Sequence, residues 1–84
     1  MRVDDGVDPR QHQLLGRQLR LAADLVMTNQ APQQAKVQLH VAVGNVARTC
    51  GGSRAHNYDS HVVMFNDFRR HGVTTFIHTQ IKHC

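Results

Sequence analysis

Glutamate and tryptophan are both missing from this chain of 84 residues, which also has only one tyrosine and three phenylalanines. Glutamate normally supplies helix-supporting ion pairs and general acids. Its absence leaves six aspartates as the only side-chain carboxylates. Because aromatic residues are scarce, a hydrophobic core has to be filled mainly by valine and leucine. Much of the polar remainder consists of eight glutamines, seven histidines and eight arginines, so the chain is basic and histidine-rich.

Long apolar runs and closely spaced cysteines are also lacking. No stretch approaches the ~20 apolar residues that a membrane-spanning helix needs, and the first residues lack the apolar run of a secretory signal. The two cysteines, Cys50 and Cys84, are too few for a disulfide framework and too far apart for a C-x-x-C redox pair. We therefore expect a reduced, cytoplasmic protein without membrane association, although the sequence leaves open whether either cysteine forms a disulfide.

The length of the chain leaves room for one small domain, which we place at residues 1–84 with a disordered N-terminus at 1–7. The formal charge is +4. Residues 1–35 contain four Asp and four Arg, whereas residues 36–84 contain six Lys or Arg and only two Asp. All of the net charge therefore lies in the second part, which would attract a polyanion.

The clearest local signal predicts a helix at residues 9–28. Asp8 is a good N-cap residue, and Pro9 suits the first helical position. Asn29 and Pro32 are expected to end the helix. The pair Arg20 and Asp24 has the i, i+4 spacing of an ion pair. Apolar residues fill one arc of the helix, with only Gln18 intruding, and they are Leu14, Leu15, Leu19, Leu21, Ala22, Leu25 and Val26.

From Lys36 the apolar residues alternate, which predicts a strand at residues 36–43. A Gly-Asn turn at 44–45 and a return strand at 46–50 complete a predicted hairpin. In this register Arg48 falls on the apolar face, opposite a valine. A helical spacing also fits this segment, so helix and strand both remain open for residues 33–49. The helical alternative uses Ala35, Leu39, Ala42, Val43 and Val46.

The rest of the chain is predicted to contain a loop, a second helix and a last strand. Asp59 or Ser60 would cap a helix at residues 61–71, with Gly72 as its stop, although the apolar run at 61–65 favours a strand. Alternation of apolar and polar residues predicts a strand at 73–82. The expected fold class is α+β, in the order α-β-β-α-β, in a domain so small that it could fold only in part.

Cations in the second part form a candidate nucleic-acid surface. Arginine favours bidentate contacts with phosphate, and Tyr58, Phe76 or a histidine could stack on an unpaired base. No sequence motif of a nucleic-acid-binding family is present, and the spacing does not show whether the cations share a face. The candidates are Arg48, Arg54, Arg69, Arg70 and Lys82.

Metal binding and catalysis have weaker support. Cys50, His56 and His61 offer ligand types for zinc, but the pattern lacks the close cysteine pair of a zinc finger. The sequence Asp59-Ser60-His61 contains the three residue types of a hydrolase triad, but three consecutive residues cannot adopt the triad geometry. No cofactor, small-molecule substrate or enzymatic activity is expected.

Three hypotheses of function follow. The leading one is a small non-enzymatic protein that is the product of a short or overlapping reading frame and has no dedicated function. It rests on the skewed composition and on the local conflicts at Gln18 and Arg48, since selected domains tend to be locally consistent. The first alternative is a basic nucleic-acid-binding module that uses residues 48–82. The second is a zinc-stabilised interaction domain.

Overall fold

The structure is a computed structural model that describes residues 9–51, 60–82 and 84. The segment 1–7, predicted to be disordered, lies outside these residues. Within the described part of the chain all regular structure is helical, so the predicted α+β fold and its three strands are wrong. The helices are α1 (Pro9–Thr28), α2 (Pro32–Cys50), α3 (His61–His71) and α4 (Val73–Ile81).

The predicted hairpin is a single helix, α2. Pro32 lies at its first turn, where a missing N–H costs nothing. In a strand, Val41 and Val43 would face the same side, whereas α2 buries Val43 and leaves Val41 56% exposed. The helical spacing that the sequence also allowed is therefore the correct one. Its five residues, Ala35, Leu39, Ala42, Val43 and Val46, are the buried residues of α2.

The predicted strand at 73–82 is also a helix, α4. Two consecutive residues, Phe76 and Ile77, are both buried, whereas a strand would direct them to opposite faces. The Phe76 ring packs against that of Phe68 on α3, with 4.7 Å between ring centroids. Burial of this adjacent pair favours the helix over the β-propensity of the segment, because packing routinely overrides propensity.

Both predicted helices are confirmed with their boundaries. After α1, Asn29 adopts the left-handed conformation, with φ of 57°, which is common where helices end. The apolar stripe of α1 is placed differently from the prediction, since Leu14 and Leu21 are exposed while Ala23 is buried. At α3, the Ser60 hydroxyl accepts a hydrogen bond from the Val63 amide at 3.5 Å.

Gly72 alone joins α3 to α4. Its amide donates to the Phe68 carbonyl oxygen at 2.9 Å and closes α3. Its φ and ψ of 89° and 145° lie in a region that is almost exclusive to glycine. Because the junction has one residue, the last turn of α3 and the first turn of α4 lie next to each other.

The hydrophobic core draws on the four helices, and among the described residues every buried one is apolar. Several of these side chains, including Leu19, Leu39 and Met64, are completely buried. The core is built mainly from aliphatic residues, as the lack of aromatic residues predicted. It consists of Leu15, Leu19, Ala22, Ala23, Val26, Ala35, Leu39, Ala42, Val43, Val46, Met64, Phe68, Phe76 and Ile77.

A disulfide between Cys50 and Cys84 joins the end of α2 to the segment that follows α4. The two Cα atoms are 4.6 Å apart, and the residues are separated by 34 positions in the sequence. The expectation of reduced cysteines is therefore not met in this structure. The bond places the C-terminal end of α4 beside the C-terminal end of α2.

Candidate nucleic-acid interface

The predicted cations fall into two groups. Arg48 and Lys82 each lie two residues before a cysteine of the disulfide, so they occupy the same end of the helix bundle. Arg48 is exposed, and its guanidinium donates a hydrogen bond to the Asn45 side-chain oxygen. Lys82 is also exposed. Arg54 lies outside the described residues.

The second group, Arg69 and Arg70, lies in the last turn of α3. Cations at this position are favourable because the C-terminal end of a helix carries partial negative charge. The Arg69 guanidinium lies 5.6 Å from the centroid of the Phe65 ring. The next residue, His71, has its Nε2 atom 3.8 Å from an Asp67 oxygen, so one carboxylate adjoins this group.

A further cation, Arg20 on α1, joins this second group although it was not among the predicted residues. The sequence suggested an ion pair between Arg20 and Asp24. Instead, the Arg20 guanidinium donates a hydrogen bond to the Thr74 hydroxyl at 3.1 Å. Thr74 belongs to the first turn of α4, which directly follows the junction at Gly72. Only the packing of α1 against α4 brings Arg20 there, because 54 positions separate the bonded residues.

Cations therefore flank α4 at both ends. The helix has nine residues, which corresponds to a length of about 13 Å. Residues 69–82 contain no Asp or Glu, and the exposed residues of α4 itself are hydroxyls and a histidine. Phosphate contacts in nucleic-acid complexes are made by such cations and hydroxyls. We define the α4 surface as Arg20, Arg69, Arg70, Thr74, Thr75, His78, Thr79 and Lys82.

Base stacking has little support from the described aromatic residues. Phe76, a predicted stacking residue, is buried against Phe68 and cannot reach a base. Tyr58, the other aromatic candidate, lies outside the described residues. Of the predicted stacking residues, Phe76 is therefore excluded, and the exposed His78 on α4 is a described histidine that stays available.

The predicted zinc ligands are not assembled in the described part of the chain. Cys50 is in the disulfide and has no thiolate to offer a metal, and His56 lies outside the described residues. His61 stacks on Phe65, with ring centroids 6.4 Å apart. Its Nε2 atom is buried and has no hydrogen-bond partner among the described residues. No group of three potential metal ligands occurs in residues 9–51, 60–82 and 84.

A shallow groove of about 150 Å³ lies between α1 and α2. The Gln18 side chain, which interrupted the apolar arc of α1, accepts a hydrogen bond here from the Asn45 amide at 3.5 Å. Asn45 also accepts the bond from Arg48. Gln18 and Arg48, which interrupted the apolar faces predicted from the sequence, therefore belong to one polar network that joins α1 to α2 through Asn45.

Comparisons with known proteins add no functional information, since no family model, curated protein or solved structure matches the chain.

Proposed function

We propose that this protein is a small non-enzymatic module that binds the phosphate backbone of nucleic acid through the α4 surface. The observation that carries the proposal is the surroundings of α4, where four cations flank an exposed row of hydroxyls and residues 69–82 lack carboxylates. Two aspartates adjoin this surface along the chain: Asp67 faces His71, and Asp24 follows Arg20 by four residues on α1. Binding without base contacts would be independent of sequence, because phosphates carry no sequence information.

The number of cations sets the expected salt dependence. On a DNA duplex, log K falls with log salt with a slope of about −0.9 for each neutralised phosphate. Four contacts, from Arg20, Arg69, Arg70 and Lys82, therefore predict a slope of about −3.6. One strand advances about 3.4 Å per phosphate along the duplex axis. The length of α4 therefore corresponds to roughly four phosphates between the cations at its two ends.

The test measures binding of a fluorescent 20-base-pair DNA duplex by anisotropy at several salt concentrations. The variant Arg70→Gln/Lys82→Gln removes one arginine and one lysine from the α4 surface. We expect it to reduce the slope by about 2, since each lost phosphate contact lowers the slope by about 1. The matched control, Arg17→Gln/Lys36→Gln, removes the same two residue types from α1 and α2 and should keep the slope within about 0.5 of the wild type.

Equal losses in both double variants would contradict the proposal, because binding would then depend on net charge alone. A slope near zero would contradict it as well. Either result would favour the hypothesis that the chain has no dedicated function. The polar network of Gln18, Asn45 and Arg48 weighs against that hypothesis, because it resolves the local conflicts on which the hypothesis partly rested.

We also propose a cytoplasmic location. Among the described residues, no helix is sufficiently long and apolar to span a bilayer. The disulfide counts against a cytoplasmic location, because disulfides in the cytosol are rare and are usually transient or redox-sensing. Imaging of a fluorescent fusion tests the location, and export or retention in an oxidising compartment would contradict it.

A further inference from the structure

The sequence of α4 favours a strand when it is considered alone. Six of its nine residues are β-branched valine, threonine or isoleucine, which lose side-chain freedom in a helix. Isolated helices shorter than about 12 residues are marginal in water even with good helix formers. The helical state of α4 therefore depends on its contacts with the rest of the protein.

Contacts with the core hold α4 in place. Its two buried residues, Phe76 and Ile77, pack into the core, the half-buried Val73 and Ile81 pack against it, and Thr74 accepts the hydrogen bond from Arg20. At its N-terminal end the chain connects to α3 through Gly72 alone, and no side chain among the described residues caps the helix. Because the Gly72 amide closes α3, the backbone hydrogen bonds of α3 do not use residues of α4, and the two helices are joined by side-chain packing such as that of Phe68 and Phe76.

The disulfide constrains the opposite end of α4. Cys84 follows the helix by three residues and is bonded to Cys50 at the end of α2. Both cysteines are half-buried rather than enclosed in the core. This exposure favours exchange with an external thiol, since the attacking thiolate needs access to a sulfur atom.

We infer that the Cys50–Cys84 disulfide is a thiol–disulfide exchange site for dithiol reductants, and that its reduction releases α4 from the core. One thiolate of the reductant attacks a cysteine sulfur, which forms a mixed disulfide and expels the other cysteine as a thiolate. The second thiolate of the reductant then displaces the remaining cysteine. Two electrons pass to the protein, which gains two thiols after protonation, and the reductant becomes a disulfide. This inference does not depend on the proposed nucleic-acid binding.

The expected effect follows from the length of the segment that the bond restrains. With α1, α2 and α3 folded, the disulfide limits the freedom of roughly a dozen residues, from Val73 to Cys84. A cross-link that closes a loop of that length lowers the population of the state in which α4 is detached by a factor on the order of 100. Reduction should therefore raise the fraction of molecules with α4 detached by about 100-fold.

Amide hydrogen exchange of the full chain, compared in its oxidised and dithiothreitol-reduced forms, tests the inference. We expect amides in α4, such as those of Ile77 and Ile81, to exchange about 100-fold faster after reduction. Amides at Leu19 in α1 and Val43 in α2 should change by less than about fivefold. Unchanged exchange in α4 would overturn the inference. An equal acceleration in every helix would also overturn it, because the bond would then stabilise the whole fold rather than hold α4.

Two variants separate the effect of the bond from other causes. Cys50→Ser/Cys84→Ser should exchange like the reduced wild type and should not respond to the reductant. Thr75→Ala/Thr79→Ala raises the helix propensity of α4 at two exposed positions. In the reduced form it should slow exchange in α4 by about fivefold. If the alanine variant had no effect, exchange in α4 would not report its local helical stability, and the inference would fail.

Discussion

The substitutions Val43→Ala and Val41→Ala remove the same two methyl groups from positions two residues apart on α2. The predicted strand places both valines on one buried face. The helix buries Val43, which is 4% exposed, and leaves Val41 56% exposed. The pair therefore tests the helical assignment of the segment for which the sequence allowed two structures.

The burial of each valine sets the expected change in the free energy of unfolding. For Val43→Ala, removing two buried methyl groups costs about 1.6 kcal/mol in transfer free energy and the cavity adds about 1–2 kcal/mol. The higher helix propensity of alanine offsets about 0.5 kcal/mol, which leaves about 2–3 kcal/mol. At Val41 the loss of partial burial is about 0.7 kcal/mol, and the higher helix propensity of alanine offsets about 0.5 kcal/mol of it. The free energy of unfolding of Val41→Ala should therefore lie within about 0.5 kcal/mol of the wild type.

Urea unfolding followed by circular dichroism measures both changes. With an m value of about 1 kcal/mol per molar urea, Val43→Ala should lower the midpoint by about 2–3 M. Val41→Ala should move it by less than about 0.5 M. A chain of this length has a stability of roughly 4–13 kcal/mol, so Val43→Ala remains measurable unless the wild type lies at the bottom of that range. Equal losses at both positions would refute the helix and favour the strand.

Three other substitutions test the backbone and the caps by the same unfolding assay. Gly16→Ala should raise the free energy of unfolding by about 0.5–1 kcal/mol, because glycine is unfavourable within a helix and an added Cβ meets no atom within 4 Å. Gly72→Ala should lower it by about 1–3 kcal/mol, because φ is 89° there. Ser60→Ala should cost about 0.5–1 kcal/mol through loss of the N-cap of α3, at the low end because the hydrogen bond is long at 3.5 Å.

The two glycine substitutions serve as controls for each other. If both substitutions raised the free energy of unfolding, residue 72 would not need a positive φ. The single-residue junction between α3 and α4 would then be incorrect. If Gly16→Ala lowered the free energy of unfolding, the added Cβ would have to clash with a neighbouring atom, and the packing of α1 has no atom within 4 Å of that position. For Ser60, a Ser60→Thr variant keeps a capping hydroxyl and should retain most of the stability.

The candidate interface was only partly predictable. The sequence indicated Arg69, Arg70 and Lys82, because the excess of cations over carboxylates in residues 36–84 is visible in one dimension. Arg20 was missed, since it reaches Thr74 across 54 positions and no local pattern encodes that contact. Phe76 was wrongly expected to be available for stacking, because its burial depends on Phe68 in another helix.

The sequence by itself determined the features that depend on neighbouring residues. The start of α1 at Pro9, its end before Asn29 and the capping of α3 by Ser60 follow from backbone groups that residues a few positions away must satisfy. Charge distribution and the aliphatic character of the core are likewise properties of composition. These predictions held because no distant contact is needed to produce them.

Only the tertiary structure decided that α2 and α4 are helices and that Cys50 pairs with Cys84. Residues 36–43 fit both a two-residue and a helical period, and the choice depends on which valines other helices cover. In α4 the β-branched residues favour a strand, but burial of the adjacent pair Phe76 and Ile77 requires a helix. Cys50 and Cys84 are 34 positions apart and meet only because α4 returns to the end of α2. Each of these outcomes depends on contacts between distant residues, which local propensity does not contain.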